Sequence, residues 1–202
     1  MKILKRVVVG LILLGGLVCL VSLFLPEKVH LERTITVNAP AAQIFPHVNN
    51  LRVWNEWSPW YAMEPTAVYS YGELSEGAGA KMSWTGDKVG TGSQTITVSN
   101  PYENISSSLE FGQGPPATAD FIFLPEGDGT KVTWRFDTEL GMNPISRFFG
   151  VLLPGMLGPQ YEEGLNNLKR VVEAEMSADH APGAEQTGLG DLPTSIESPT
   201  GR

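Results

Sequence analysis

Between Ala67 and Asp137 the chain offers six segments of strand character, each followed by a connector too short to hold a crossover. The segments are "AVYSY", "AKMSW", "SQTITVS", "NISSSLEF", "ATADFIFL" and "TKVTWRFD". Between them lie "GELSEGAG", "TGDKVGTG", "NPYE", "GQGPP" and "PEGDG", all rich in turn residues. Parallel neighbours need crossovers of a dozen or more residues, so these strands must run antiparallel. A seventh candidate, "VHLERTITVN", precedes them. It alternates Leu31, Ile35 and Val37 with Glu32, Thr34 and Thr36, the period of a half-buried strand.

Helical spacing appears on either side of this block. "NAPAAQIFPHVNN" suggests a short helix with Asn38 as N-cap and Pro40 in its first turn. Pro46 removes a hydrogen bond to residue 42, which predicts a kink or a helix split in two. Near the C-terminus, Ile145, Phe148, Phe149 and Leu152 recur at helical spacing, and Tyr161, Leu165, Leu168 and Val172 repeat the pattern. "PGMLGP" interrupts them, and Pro159 suits the first turn of a new helix. One antiparallel sheet with helices on one face is an α+β layout.

Val7 to Leu25 forms an uncharged apolar run. As a helix it spans roughly 28 Å, about the hydrocarbon thickness of a bilayer. Lys2, Lys5 and Arg6 precede it, which places the N-terminus in the cytoplasm and the remainder outside. A cleaved signal peptide is the rival reading, but "SLFLPEK" provides bulky Phe24 and Leu25 where small residues are needed. A lipoprotein would use Cys19, yet Val18 precedes it and apolar span continues beyond. The chain is therefore expected to be a single-pass protein of the cytoplasmic membrane. Cys19 is the one cysteine, so the soluble part has no disulfide or thiolate site. Residues 1–28 read as cytoplasmic stub and anchor, 29–175 as a single folded domain, and the Gly-, Pro- and Ser-rich 176–202 as a disordered tail. With a net charge of −8 and no basic stripe, a nucleic-acid partner is not expected.

The stretches "APAAQIFPHVNNLRVWNEWSPW", "GTGSQTITVSNPYENISSSLEF", "TKVTWRFD" and "NPISRFFG…GPQYEEGLNNLK" resemble bacterial polyketide cyclase/dehydrase-like members of the SRPBCC (START-like) superfamily. The resemblance covers roughly residues 29–172, and many such relatives carry a similar N-terminal span. It implies a helix-grip fold, in which a curved seven-stranded antiparallel sheet wraps a long C-terminal helix and leaves a cavity between them. Pro46 departs from the helix former usual in relatives. The superfamily holds lipid carriers, pollen allergens, cyclases and ligand sensors, so membership does not fix function.

Strand parity indicates which side chains face inward. Val132, Trp134 and Phe136 share a face, as do Phe121 with Phe123, Leu109 with Phe111, Met82 with Trp84, and Ile96 with Val98. Polar inward residues are few: Arg33, Gln94, Ser107, Tyr69 and Tyr71. "LRVWNEWSPW" adds Trp54, Trp57 and Trp60, either packing a core or walling a pocket. The candidate ligand-cavity residues are accordingly Trp54, Trp57, Trp60, Tyr69, Trp84, Gln94, Ser107, Phe111, Phe121, Phe123, Trp134, Phe136 and Met156.

Signs of catalysis are sparse. Glu110, Asp120 and Arg135 fall on the outward face, with Asp120 opposite Arg135 in a solvated cross-strand pair. His30 lies beside the membrane, His180 in the tail, and His47 reads as a surface histidine. No His/Asp/Glu spacing suits a metal, and the Gly-x-Gly pairs at 77–79, 90–92 and 112–114 read as turns. Neither cofactor nor metal is expected. Three readings remain: non-catalytic binding of a small hydrophobic or lipid-like molecule, a polyketide cyclase or dehydratase working through Gln94, Tyr69, Tyr71 or Arg33, and a protein-interaction module with a filled core.

Overall fold

The computed structural model describes residues 2–112 and 114–179. Helix α1 (Lys2–Ser22) leads into strand β1 (Lys28–Val37), helix α2 (Ala41–Asn49), a 3-10 turn (Trp54–Glu56) and helix α3 (Pro59–Met63). Strands β2 (Val68–Tyr71), β3 (Lys81–Gly86), β4 (Gly90–Asn100), β5 (Asn104–Glu110), β6 (Ala117–Glu126) and β7 (Gly129–Glu139) follow, then helix α4 (Pro144–Asp179). The sheet order is β1-β7-β6-β5-β4-β3-β2, antiparallel at every pairing. The short connectors thus produce a six-strand meander, and β1 closes its far edge by pairing with β7 from Lys28↔Glu139 to Val37↔Thr130. This is the helix-grip architecture, with α4 lying across the concave side of the sheet.

The core fills the space between sheet and helices. Ile105, Phe121, Phe123, Val132 and Trp134 project from the strands against Ile44 and Val48 of α2 and Leu165, Leu168 and Val172 of α4, all buried. Burying each such side chain stabilises the fold by about 1.5–3 kcal/mol. Close approach of α4 depends on Gly164, because a Cβ there would lie 2.8 Å from Cζ3 of Trp134.

Several sequence expectations are corrected. Pro40, not Asn38, is the N-cap of α2. The backbone N–H of Asn38 instead donates to the Glu173 carboxylate at 2.8 Å. Pro46 does not split α2, which runs as one helix while Ile44, Phe45 and Val48 anchor it to the core. A single missing hydrogen bond is outweighed by that burial. Likewise α4 is continuous through Pro154 and Pro159. In each case the carbonyl left without a donor, four residues earlier, belongs to a glycine (Gly150, Gly155).

Val98 is exposed, although parity put it inward with Ile96, because a bulge between them shifts the register. Gly92 belongs to β4, opposite Trp84, and not to a turn. Asp120 does stand opposite Arg135, but the arginine pairs instead with Glu32 of β1, Nε to Oε2 at 2.5 Å. Residues 176–179 complete α4, and the rest of the expected tail, with His180, lies outside the described residues.

Candidate ligand hollow

A hollow of about 120 Å³ lies between the sheet and the helices above it. Alternation along the strands supplies its floor: Tyr69 of β2, Met82 and Trp84 of β3, Gln94 of β4, Leu109 of β5, Ala119 of β6, and Trp134 and Phe136 of β7. Trp54, Ser58, Trp60 and Tyr61 form one side, Leu157 and Tyr161 of α4 the roof, and Val89 and Phe111 complete the rim. Space exists because β6 presents Ala119, paired with Phe136 and Ser107, where its next inward residues are the bulky Phe121 and Phe123. At Trp84 the ring folds over Gly92, whose missing side chain would meet Cζ2 at 2.4 Å.

Of the expected cavity residues, the structure brings together Trp54, Trp60, Tyr69, Trp84, Gln94, Phe111, Trp134 and Phe136. The other five stand elsewhere. Trp57 is a core residue, donating its Nε1–H to the His47 carbonyl at 3.0 Å and packing on Phe121 and Trp134. Phe121 lies under Trp134, ring centroids 4.7 Å apart, and Phe123 packs on Phe45. Ser107 accepts a hydrogen bond from Gln94 Nε2 at 3.1 Å, behind the wall. Met156 faces outward, because the uninterrupted α4 fixes its direction.

Ser58, Tyr61, Met82, Val89, Leu109, Ala119, Leu157 and Tyr161 were missed. Parity already put Met82 and Leu109 inward, and helical spacing put Tyr161 on the buried face. Ser58, Tyr61 and Val89 come from irregular or very short elements, which carry no period to read.

The polar chemistry of the hollow is entirely neutral. Tyr61 stacks on Tyr69 with ring centroids 3.9 Å apart, and its hydroxyl meets that of Tyr71 at 2.6 Å. Burial pushes the Tyr61 phenol far above its ordinary range, and the hydrogen bond to Tyr71 adds to the shift. Burial raises Tyr69 and Tyr161 too. These phenols therefore stay protonated and act as hydrogen-bonding groups, not as bases. Two buried polar atoms on lining residues, the Tyr69 hydroxyl and Trp134 Nε1, have no partner among the described residues. No lining side chain carries a carboxylate, imidazole or cation.

Arg33, an alternative catalytic candidate, is on the inward face opposite Trp134 but does not line the hollow. Its Nε donates to Glu162 at 2.6 Å and its Nη1 to the Glu32 carbonyl at 2.8 Å. Nor is His47 a surface residue: its side chain is 12% exposed. Among the described residues His47, Glu56 and Glu175 form a group able to hold a metal ion. Sequence spacing missed it because the three come from α2, the 3-10 turn and α4. Glu175 meets Nε2 at 3.1 Å and Glu56 approaches Nδ1 at 3.9 Å. Carboxylates on opposite ring nitrogens are not the convergent donor set of a metal site, and Nδ1 has no hydrogen-bond partner among the described residues.

Among the described residues α1 is the one helix long and apolar enough to cross a membrane, a test that a signal sequence also passes. The sequence model for the family described as polyketide cyclase / dehydrase and lipid transport matches residues 28–173. Among curated proteins, none matches the sequence. Solved structures share the fold at low identity. A protein from Chromobacterium violaceum is 16% identical with a TM-score of 0.52, covering 73% of this chain and 98% of its own. One from Rhizobium leguminosarum is 17% identical with a TM-score of 0.54, covering 73% and 96%. The di-domain ARO/CYC StfQ of the steffimycin biosynthetic pathway is 15% identical with a TM-score of 0.56, covering 75% of this chain and 52% of that one.

Proposed function

The chain belongs to the polyketide cyclase / dehydrase and lipid transport family, and from that premise we propose that it binds a small hydrophobic or lipid-like molecule without chemically altering it. The observation that carries this reading is the uncharged aromatic hollow, two of whose lining residues carry a buried polar atom without a partner among the described residues, the Tyr69 hydroxyl and Trp134 Nε1–H. A buried polar group without a partner costs about 1–3 kcal/mol. An indole N–H can only donate. A ligand with an apolar body and an oxygen acceptor relieves that cost as the hollow opens around it. The present volume of about 120 Å³ is below the 300 Å³ or more of typical ligand pockets. The hollow must therefore expand to admit a lipid-sized guest.

In this reading α1 is a retained anchor and the domain lies outside the cytoplasmic membrane. Arg147, 3% exposed, supports retention: its guanidinium donates to the carbonyls of Ser22 and Gly141 and to the Glu27 carboxylate. Removing α1 up to Ser22 takes away one of the three acceptors that hold Arg147. Tethering then raises the effective concentration of the hollow beside its ligand source.

Native mass spectrometry of the full chain, released from nanodiscs, tests the proposal. A retained mass, or uptake of added lipid, is expected. A species that stays ligand-free in the presence of added lipids refutes it.

The family description and the ARO/CYC likeness favour a second reading, a cyclase or dehydratase. Of its four candidate residues, Gln94 and Tyr69 line the hollow, while Tyr71 and Arg33 are engaged elsewhere. Catalysis would then rest on hydrogen-bond polarisation, since the hollow has no titrating base near neutral pH. Turnover of a poly-β-ketone mimic that disappears in Gln94→Ala and Tyr69→Phe would establish it over plain binding.

A further inference from the structure

The first half of α4 is built unlike the second. From Phe148 to Tyr161 there is no charged residue, whereas Glu162, Glu163, Lys169, Arg170, Glu173 and Glu175 crowd the remainder. Ile145, Phe149, Leu152 and Met156 follow one another at intervals of four, three and four, which aligns them along a single helix face. They are 67, 61, 56 and 62% exposed. Phe148 and Val151 flank them, also exposed. The opposite face turns inward: Gly150 lies against Leu140 and Val29, and Leu157 roofs the hollow. A helix that is apolar on both faces is normally covered on both.

Its position says what covers it. Arg147, one turn from the start of α4, holds the Ser22 carbonyl at 3.1 Å and Glu27 at 2.8 Å, so this part of α4 is fixed at the C-terminal end of α1. Leu23 and Phe24, at that same end, are 59 and 84% exposed and extend the apolar surface towards α1. A span that crosses a bilayer brings its end, and whatever is tied there, to the depth of the lipid headgroups.

We infer that the Ile145–Phe149–Leu152–Met156 face of α4 lies in the membrane interface beside α1, so that the roof of the hollow rests on lipid. The inference rests on the reading of α1 as a retained span and deepens the proposed function by naming the source of the ligand, the bilayer the helix touches. Met156 and Leu157 are neighbours on α4, one turned to lipid and the other into the hollow, and they make the helix the short route between the two. The face carries no basic residue, so its attachment requires no anionic lipid and little electrostatic help.

The test uses the full chain in phosphatidylcholine vesicles, with Cys19→Ser and a single fluorophore-labelled cysteine at Leu152→Cys or Phe149→Cys. Leu124→Cys, exposed on β6 at the far end of the sheet, is the control. Lipids carrying a nitroxide near the headgroup are expected to quench positions 152 and 149 severalfold more than 124, and added salt should not reverse this. The unaltered chain labelled at Cys19, with nitroxide placed deep in the acyl chains, reports on α1 separately. If Cys19 is quenched while 152 and 149 behave like 124, the anchor stands and the inference falls. If Cys19 is not quenched either, both fall. Cross-linking of position 152 between two copies without lipid quenching assigns the face to a second copy and overturns the inference, as does quenching abolished by salt.

Discussion

Tyr161 and Trp134 stack with ring centroids 4.0 Å apart and planes inclined by 26°, joining α4 to the centre of the sheet at the wall of the hollow. Gly164, nearly one turn along, allows this approach: a Cβ there would sit 2.8 Å from Trp134 and 3.2 Å from Pro59. Trp134 is 2% exposed and stacked between Phe121 and Tyr161, so displacing its ring disturbs both stacks. Gly164→Ala is expected to destabilise the domain by about 1–3 kcal/mol. Gly155→Ala, in open space on the same helix, should stabilise it by about 0.5–1 kcal/mol through helix propensity. Denaturant unfolding of the two variants, read by tryptophan fluorescence, checks the opposite signs.

Glu64 secures the β3–β4 turn. Its carboxylate accepts backbone N–H groups from Val89, Asp87 and Lys88 at 2.8–3.0 Å. Those bonds, with Val89 contributing most, hold its pKa below the ordinary value of 4.5. In the window between the two values the unfolded chain binds more protons than the folded one, so stability rises with pH. The contribution is complete above pH 4.5 and is lost as pH falls through the lowered folded value. Glu64→Gln should therefore lie below the parent in Tm near neutral pH, with the gap closing in acid. A gap that does not change with pH would contradict this assignment.

Much of the fold was legible because strands and short turns are local signals. Alternation placed Met82, Leu109, Trp134 and Phe136 on the inward face, and connector length dictated antiparallel order. What escaped were features decided by tertiary contact. Pro154 and Pro159 read as breaks, yet packing carries α4 through them. Met156, expected in the cavity, is exposed on the continuous helix. A bulge after Ile96 reversed Val98, since one extra residue inverts parity. Within "WNEW", Trp54 reaches the hollow while Trp57 does not, a distinction that depends on a 3-10 turn and not on spacing.

Ala119 decides whether there is a hollow at all. It is 5% exposed, faces Phe136 and Ser107 across the sheet, and lines the open volume. A leucine at this position projects into about 120 Å³ of space, so overpacking should cost little stability. Ligand retention should fall by about tenfold or more, equivalent to roughly 1.4 kcal/mol. Competition for a fluorescent fatty probe, with Tm measured in parallel, separates loss of space from loss of fold. A variant that remains folded and retains probe as well as the parent would place the binding surface elsewhere.

Tyr69 offers a prediction in which stability and binding move apart. Its ring is held by stacking on Tyr61, while its buried hydroxyl has no acceptor or donor among the described residues. Tyr69→Phe keeps the stack and removes the unsatisfied group. In the ligand-free protein the change should be neutral or stabilising by up to about 1 kcal/mol, because no hydrogen bond is lost and a desolvation cost is removed. If the hydroxyl serves to meet a ligand oxygen, the same substitution should weaken retention of an oxygen-bearing lipid by about 3- to 15-fold, the equivalent of one hydrogen bond. A purely hydrocarbon probe should be held unchanged. A hydroxyl with a structural role predicts the reverse pattern, lower Tm with equal loss for both probes, so titrating the two ligands against one variant decides what this phenol is for.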